Sequence, residues 1–206
     1  MKRTLLPMAA VFLLPTLALA QAAKPLEDKK AIVFNEIERG FFLGVNGGFQ
    51  AFIQTPGSAN RPFSAGQQVQ VELGYDIGER VSPALFFNAT ANRASADYYG
   101  YNDAHTASGD FSAISPGLGV KVRLVGFNDS QDVQRTWIYL RAQAGLVFYQ
   151  PKALIDRMDL MISGGPGIEY FTRLRHFSIG LEATFNFMAL TQSFGFSVLP
   201  SVRYAF

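Results

Sequence analysis

The sequence predicts an all-β protein: an eight-stranded antiparallel transmembrane β-barrel in an up-and-down meander over residues 40–206. Three observations predict this fold class. Apolar residues recur at every second position in eight separate runs, which is the period of a strand with two different faces. Most runs reach the roughly 9–11 residues that a tilted strand needs to cross a bilayer. The opposite face carries mainly Gly, Ser, Asn, Gln and Thr, as expected for a narrow barrel interior.

The first run is GFFLGVNGGFQAFIQ, at residues 40–54, and it alternates large apolar side chains with small or amide residues. A strand facing water would carry charged side chains on its second face, and this run carries none there. We therefore expect the Phe-rich face to meet hydrocarbon. Its predicted outward residues are Phe41, Leu43, Val45, Phe49, Ala51 and Ile53.

The other seven runs repeat this alternation, with apolar residues predicted to face outward. Runs two to four place outward Val69, Val71, Leu73, Tyr75 and Ile77; then Leu85, Phe87, Ala89 and Ala91; then Ile114, Leu118, Val120, Val122 and Leu124. Runs five and six place outward Ile138, Leu140, Ala142, Leu146 and Phe148; then Leu160, Ile162, Ile168 and Tyr170. Runs seven and eight place outward Phe177, Ile179, Leu181, Ala183, Phe185 and Phe187; then Phe194, Phe196, Val198, Val202, Tyr204 and Phe206.

Three prolines depart from the strand pattern. Pro116, Pro166 and Pro200 fall inside predicted strands, where each removes one donor from the hydrogen-bond ladder. We expect bulges or local bends at these positions, unless the prolines end their strands.

The first twenty residues, MKRTLLPMAAVFLLPTLALA, predict a secretory signal peptide, with basic Lys2 and Arg3, an apolar run and a small-residue cleavage site. Residues 21–39 are charged and irregular, and we expect them to form a periplasmic tether. Without residues 1–20 the chain has 16 basic and 16 acidic residues, which gives no electrostatic basis for nucleic-acid binding. The absence of cysteine excludes a disulfide-stapled fold.

Because the number of strands is even, the first strand begins and the last strand ends on the same side of the membrane. Connections at residues 78–82, 126–134 and 172–176 alternate with those at 55–64, 94–110, 150–158 and 191–193. Because periplasmic turns are usually shorter than external loops, we assign the first set and both termini to the periplasm.

At the level of pattern, residues 40–206 resemble the small outer-membrane barrels of the OmpA, OmpX and OmpW type. In those families an alternating C-terminal segment that ends in an aromatic residue is read by the barrel-assembly machinery, and Val202, Tyr204 and Phe206 match it. The resemblance implies insertion among the lipids of a Gram-negative outer membrane. Separately, FNEIERGFFLGVNGGF (residues 34–49) is similar to the opening of the gliding-motility protein CglE.

Charged residues at inward positions lie within a few residues of the assigned periplasmic ends of their strands. We expect them to meet in the lumen as a paired ion network, because buried charges persist only when paired. The network could simply fill the interior, or it could act as a gate or proton path; a free diffusion pore is not expected from eight strands. Its predicted members are Glu72, Lys121, Arg123, Arg141, Glu169, Glu182 and Arg203.

The longest predicted external loop, residues 94–110, is a candidate recognition surface, since external loops commonly carry function. Aromatic side chains supply rigid contact area, although interfacial packing also explains tyrosines. Asp97 and Asp110 add oxygen atoms, but no standard metal-ligand spacing is present, so we predict no metal or cofactor. The predicted recognition residues are Tyr98, Tyr99, Tyr101, Asp103 and His105.

His176-Phe177-Ser178 resembles the His-x-Ser element of the lipid A deacylase family PagL. That family works on the outer leaflet, whereas His176 lies at a predicted periplasmic turn. Alternation places His176 and Ser178 both inward, and Glu182 is not at the family's spacing. Catalysis needs a base, a nucleophile and an orienting group together, so we predict no catalytic residue and no enzymatic activity.

The sequence therefore predicts a structural or interaction component of the envelope with an envelope protein as partner. The resemblance to CglE implies a part of a gliding-motility or adhesion apparatus. The resemblance to OmpW implies transport of small apolar molecules as the alternative. A lipid-modifying enzyme is a further, minor alternative.

Overall fold

The computed structural model describes residues 37–56, 63–94, 109–152, 155–156 and 158–206. Each strand pairs antiparallel with its neighbours in the chain, and β8 pairs with β1, so the sheet closes into a barrel in meander order. The predicted fold class is confirmed. The strands are β1 (Phe41–Phe52), β2 (Ser64–Tyr75), β3 (Val81–Arg93), β4 (Phe111–Asn128), β5 (Gln134–Gln150), β6 (Met158–Phe171), β7 (Phe177–Met188) and β8 (Ser193–Ala205). None of the described residues belongs to a helix long and apolar enough to cross a membrane.

The apolar faces of the strands point away from the barrel axis, as the alternation predicts. Leu73, Phe87 and Phe185 are 51%, 50% and 71% exposed, although each would be buried if the apolar faces formed the interior. Ala51 is an exception, because it was predicted to face outward and is fully buried. A single methyl group beside Phe196, its cross-strand partner, leaves little surface to expose.

The start of β1 and the end of β8 lie together at one end of the barrel, since the Phe206 N–H donates to the Phe41 carbonyl at 2.9 Å. We call this the terminal end, and the opposite one the loop end. The β4–β5 turn at the terminal end occupies residues 129–133 and is shorter than the predicted connection of residues 126–134. Asp129 closes that turn by accepting from the backbone N–H groups of Gln131 and Val133, and these bonds hold its pKa below the ordinary value. Which end faces the periplasm stays a prediction.

The three strand prolines sit neither at register-shifting bulges nor at strand ends, so the expectation of bulges is wrong, while that of local bends stays a prediction. Pro116, Pro166 and Pro200 keep their partners on one neighbouring strand. On the other neighbour the pairing is interrupted for two positions and resumes in the same register. Each proline therefore interrupts hydrogen bonding to one neighbouring strand and leaves the register of that pairing unchanged. The register shifts of β4 lie elsewhere, between Arg123 and Val125 and between Phe127 and Asn128.

Candidate functional site

The inward charged residues of six strands converge near the terminal end of the lumen. All seven residues of the predicted network are buried there, and the fold adds Asp76, which follows β2. We call these eight side chains the ion cluster. Its members are Glu72, Asp76, Lys121, Arg123, Arg141, Glu169, Glu182 and Arg203.

Glu169 is the centre of the larger half of the cluster. Its carboxylate lies 3.3 Å from the Lys121 ammonium, 2.9 Å from the Arg123 guanidinium and 3.5 Å from the Arg203 guanidinium. The Ser178 hydroxyl donates a fourth contact at 3.1 Å. One carboxylate therefore bridges cations from β4 and β8, which holds opposite walls of the barrel together.

Asp76 forms a second bridge within the same half. It pairs with Arg123 at 3.4 Å and with Arg203, and it accepts from the Ser82 hydroxyl at 2.5 Å. Asp76 follows β2 and continues its inward parity, four residues after Glu72, so the sequence did carry a signal for an inward charge here, though not for these contacts.

Arg141 organises the smaller half of the cluster. Its guanidinium lies 2.8 Å from Glu72 and 3.1 Å from Glu182. The Tyr139 hydroxyl donates to Glu182 at 3.1 Å. The Lys121 ammonium lies 4.6 Å from the centre of the Tyr139 ring, so these two residues join the halves.

The ion cluster is electrically neutral as a whole. The larger half holds three cations and two carboxylates, and the smaller half holds one cation and two carboxylates. The two halves therefore carry opposite unit charges that cancel. This balance lets eight charged groups remain buried, because an uncompensated buried charge is strongly destabilising.

Residues 37–40 lie across the terminal end and form what we call the strap. The Glu38 carboxylate lies 2.6 Å from the Arg175 guanidinium, in the β6–β7 turn, while Arg39 donates to the Glu79 carbonyl at 3.1 Å, in the β2–β3 turn. These two turns lie on opposite sides of the eight-strand ring. The Arg39 guanidinium also lies 5.5 Å from the ring centre of Phe171, over which Arg123 sits at 5.2 Å. The strap thus covers the ion cluster from outside.

The loop end is closed by apolar side chains, a feature that the sequence analysis missed. Its signal was present, since apolar residues occupy inward positions near this end of several strands. We call this group the apolar cap. Its members are Phe52, Phe111, Ala113, Val147, Tyr149, Ile155, Met161 and Met188, and Phe86, the register partner of Glu72 in the middle of β3, belongs to the same apolar cluster.

Asp159 supports the loop end through neutral donors. Its carboxylate, 1% exposed, accepts from the backbone N–H of Leu190 at 2.8 Å and from the Thr191 hydroxyl at 2.6 Å. The Tyr149 hydroxyl of the apolar cap also donates to it, at 3.4 Å. Asp159 thereby ties the β7–β8 turn to β6 and to the cap.

Beside the ion cluster the lumen retains little free space. A cavity beside the ion cluster, lined in part by Glu72, Lys121 and Arg141, has a volume of about 10 Å³. That is room for about one water molecule. The interior is therefore packed with side chains, as an eight-stranded barrel allows.

Comparisons with known proteins agree with this geometry at the level of fold. No family model matches the chain, and no curated protein matches it. The structure is similar to Neisserial surface protein A, with a TM-score of 0.57 and 14% identity over 83% of this chain and 100% of that one. It is also similar to OprG of Pseudomonas aeruginosa, with a TM-score of 0.52 and 10% identity over 84% and 99% of the two chains.

The chain has the fold of the small eight-stranded outer-membrane barrels. At these identities the likeness establishes the fold and nothing finer. The resemblance of residues 34–49 to CglE stays a prediction of the sequence.

The outer-membrane enzyme PagL matches this barrel with a TM-score of 0.40 and 9% identity, which supports no inference about chemistry. The residues of the His-x-Ser element are also separated. His176 lies in the turn before β7, where strand alternation does not apply, and its ring stacks on the outward Tyr204 at 5.3 Å. The prediction that His176 points inward is therefore wrong. Ser178 donates to Glu169, and among the described residues no hydrogen bond joins it to His176.

The remaining predicted sites are placed as follows. Val202 and Tyr204 lie on the outer face of β8 at the terminal end and Phe206 directly follows the strand, with the Tyr204 ring in contact with Phe177 and Phe206. Asp97 and the recognition residues lie outside the described residues. Asp110 is described and accepts from the Ala94 N–H at 3.2 Å. Within the described ranges, no group of three or more His, Asp or Glu side chains could hold a metal ion. The predicted recognition residues outside those ranges are Tyr98, Tyr99, Tyr101, Asp103 and His105.

Proposed function

We propose that this barrel is a non-conducting and non-enzymatic protein of a Gram-negative outer membrane, where it serves as a structural or interaction component of the envelope. The observation that carries the proposal is the closed interior. A neutral ion cluster under a strap fills the terminal end, an apolar cap fills the loop end, and a cavity of only about 10 Å³ adjoins the cluster. Such a barrel acts through interactions of its external surfaces and not as a channel.

The proposed partner is another envelope protein, within a gliding-motility or adhesion apparatus. Two segments are available for it: the loop at residues 94–110, in the outward orientation, and the tether at residues 21–39, in the periplasm. The strap supports the second, since Glu38 and Arg39 attach the end of the tether to two opposite turns. A partner that holds the tether would therefore hold the whole barrel.

Transport of small apolar molecules is the competing function, and movement along the lumen is opposed by buried charge at one end. An apolar solute would have to displace eight charged side chains that pair with one another. Desolvating such groups without their partners costs several kcal/mol each. Passage of an apolar solute through the ion cluster is therefore unfavourable.

Deleting residues 95–108 tests the interaction function. We expect loss of surface attachment or motility, while deletion of residues 57–62, a second loop-end segment, should leave both intact. Both variants should still shift in mobility on unheated gels, which reports a folded barrel. Normal behaviour of a folded 95–108 deletion would contradict an external partner at this loop.

Lipid A mass spectra of a His176→Ala strain should be unchanged, and an altered profile would contradict the non-enzymatic assignment.

A further inference from the structure

The outer surface of the barrel changes character at the loop end of β2 to β5. On the other side of this end the exposed outward side chains are large and apolar, such as Phe185 on β7, Phe194 on β8 and Ile53 directly after β1. On β2 to β5 one continuous register row of outward residues is instead small or polar. Its members are Gln67, Ala91, Ser112 and Gln150.

An open hollow of about 880 Å³ lies over this row, and we call it the polar hollow. This volume falls within the roughly 300–1,000 Å³ that is usual for small-molecule sites. Two lining residues, Ala65 and Ala91, carry only a methyl group and so leave space over the sheet. A larger side chain at either position would fill part of the hollow.

Two opposite charges line the polar hollow side by side. Asn92 pairs with Phe111 in the β3–β4 ladder, so Arg93 and Asp110 are the next residues toward the loop end. Both side chains are exposed, and no ion pair joins them or links Arg93 to any other described residue. Asp110 accepts a single bond, from the Ala94 N–H at 3.2 Å, which leaves most of its acceptor sites free. Both charges are therefore available to a ligand.

Neutral donors complete the charged side of the hollow. Gln67 and Gln150 each carry an NH₂ group and Ser112 a hydroxyl, and none of the three makes a side-chain hydrogen bond to another described residue. These groups could donate to the oxygens of an anion that Arg93 binds.

The next outward row toward the terminal end is apolar throughout. It lies two residues further along each strand, which is about 7 Å at the usual rise. The surface therefore changes from charged to apolar within one outward step, in the order in which a lipid presents its head group and its acyl chains. The members of the apolar row are Val69, Ala89, Ile114 and Phe148.

We propose that the polar hollow binds a membrane lipid through a phosphoethanolamine head group. The Arg93 guanidinium holds the phosphate, because its planar set of donors matches phosphate oxygens. The Asp110 carboxylate receives the ammonium group, and the acyl chains lie along the apolar row. The site goes beyond the proposed function and requires only that the outer faces of the strands contact lipid.

The neighbouring opposite charges also set a preference between head groups. A phosphoglycerol head group carries the phosphate without an ammonium group, so its negative charge would face the Asp110 carboxylate uncompensated. Like charges at such short range repel. The polar hollow should therefore prefer phosphoethanolamine to phosphoglycerol.

The test uses the folded protein in dodecyl maltoside micelles, which contain no phosphate, and counts bound lipids by native mass spectrometry. The probes are dioleoylphosphatidylethanolamine, dioleoylphosphatidylglycerol and dioleoylglycerol, which have the same acyl chains. We expect one tightly bound phosphatidylethanolamine and weaker binding of the other two. Equal binding of dioleoylglycerol would overturn the proposal, since it would assign binding to the acyl chains alone. Free phosphoethanolamine that binds as tightly as the lipid would overturn a lipid site as well.

Four variants locate the site. Arg93→Gln should weaken binding of phosphatidylethanolamine by about tenfold, as expected for the loss of one charged hydrogen bond. Ala91→Phe keeps both charges but fills the hollow, and it should also weaken binding. Asp110→Asn keeps an oxygen for the Ala94 N–H and should shift the preference toward phosphatidylglycerol. The control Lys152→Gln removes an exposed cation that does not line the hollow, and it should leave affinity and preference unchanged.

Unchanged affinity in Arg93→Gln, or an unchanged preference in Asp110→Asn, would overturn the proposal in variants that keep folded mobility on unheated gels. The comparison of the three lipids on the unaltered protein does not depend on the folding of any variant. Failure of lipid binding would leave the proposed function intact, because the loop deletion and the lipid A spectra test that function separately.

Discussion

Glu169 faces more cations than any other carboxylate of the ion cluster, at 2.9–3.5 Å from Lys121, Arg123 and Arg203. Glu182 faces one, Arg141, at 3.1 Å. The halves that contain them have opposite net charge, so neutralising each residue has a different consequence. Loss of Glu169 raises the charge of its half, whereas loss of Glu182 brings its half to neutrality.

We therefore predict that Glu169→Gln lowers the free energy of unfolding by about 3–5 kcal/mol, the range for breaking a buried ion pair, and that Glu182→Gln lowers it by less. Urea unfolding in lipid vesicles measures both. Fluorescence of Trp137 provides the signal, since it is the single tryptophan and lies buried in the barrel. Adding Lys121→Met to Glu169→Gln removes one cation and should recover part of the loss. Equal effects of the two single variants would contradict the division into halves.

Asp159 is a buried carboxylate whose hydrogen bonds come from the β7–β8 turn and from Tyr149. Asp159→Ala leaves backbone donors of that turn without a partner. We expect a loss of about 1–3 kcal/mol in the free energy of unfolding, by the same vesicle assay. Asp156→Ala, at an exposed position nearby, is the matched control and should change little. A loss in Asp156→Ala as large as in Asp159→Ala would assign the effect to charge and not to these bonds.

At the scale of the strand, two neighbouring glycines of β1 differ sharply in their surroundings. A Cβ built on Gly48 would lie 2.1 Å from the Val198 carbonyl oxygen, whereas one on Gly47 meets nothing within 4 Å. Gly48 lies opposite β8 where Pro200 interrupts the pairing, so the glycine lets the two strands approach closely there. The absence of a side chain is therefore needed at Gly48 and not at Gly47.

Gly48→Ala should destabilise the barrel by about 1–3 kcal/mol, the usual cost of overpacking a well-packed interior, because a backbone oxygen must move. Gly47→Ala should be tolerated. The fraction that keeps folded mobility on unheated gels, measured over a temperature series, compares the two variants. Similar melting of both would show that the approach of β1 to β8 is not tight.

At the scale of the whole molecule, the lumen carries two closures in series of different chemistry. The ion cluster and strap close the terminal end with charge, and the apolar cap closes the loop end with hydrocarbon. Each closure by itself opposes ion flow, because an ion must lose its hydration water to pass through it. The protein should therefore be silent in planar bilayers.

Removing one closure should leave the barrel silent as well. Glu72→Ala with Arg141→Ala deletes an ion pair without changing the net charge of its half, and Phe52→Ala with Met161→Ala thins the cap. We expect no conductance from either pair of substitutions and measurable conductance only when both are combined. Conductance from one pair alone, in protein verified as folded, would contradict closure in series.

The alternation of residues was enough to predict the fold class, the outward faces and the gathering of seven charged residues near one end. It could not predict that Glu169 and Arg141 organise separate halves, or that Asp76 joins one of them. These contacts join residues as far apart as Arg203 and Asp76, 127 positions in the chain, and they depend on how the sheet closes. His176 was misplaced because a period of two has no meaning in a turn.

The sequence by itself determined which side of each strand faces outward, because that choice depends only on alternate positions along a strand. The tertiary structure decided which inward side chains meet. Closing eight strands brings residues from distant strands to one level, and only that closure places charge at one end and the apolar cap at the other. Pairing across a lumen is a property of the closed sheet, so no single strand can encode it.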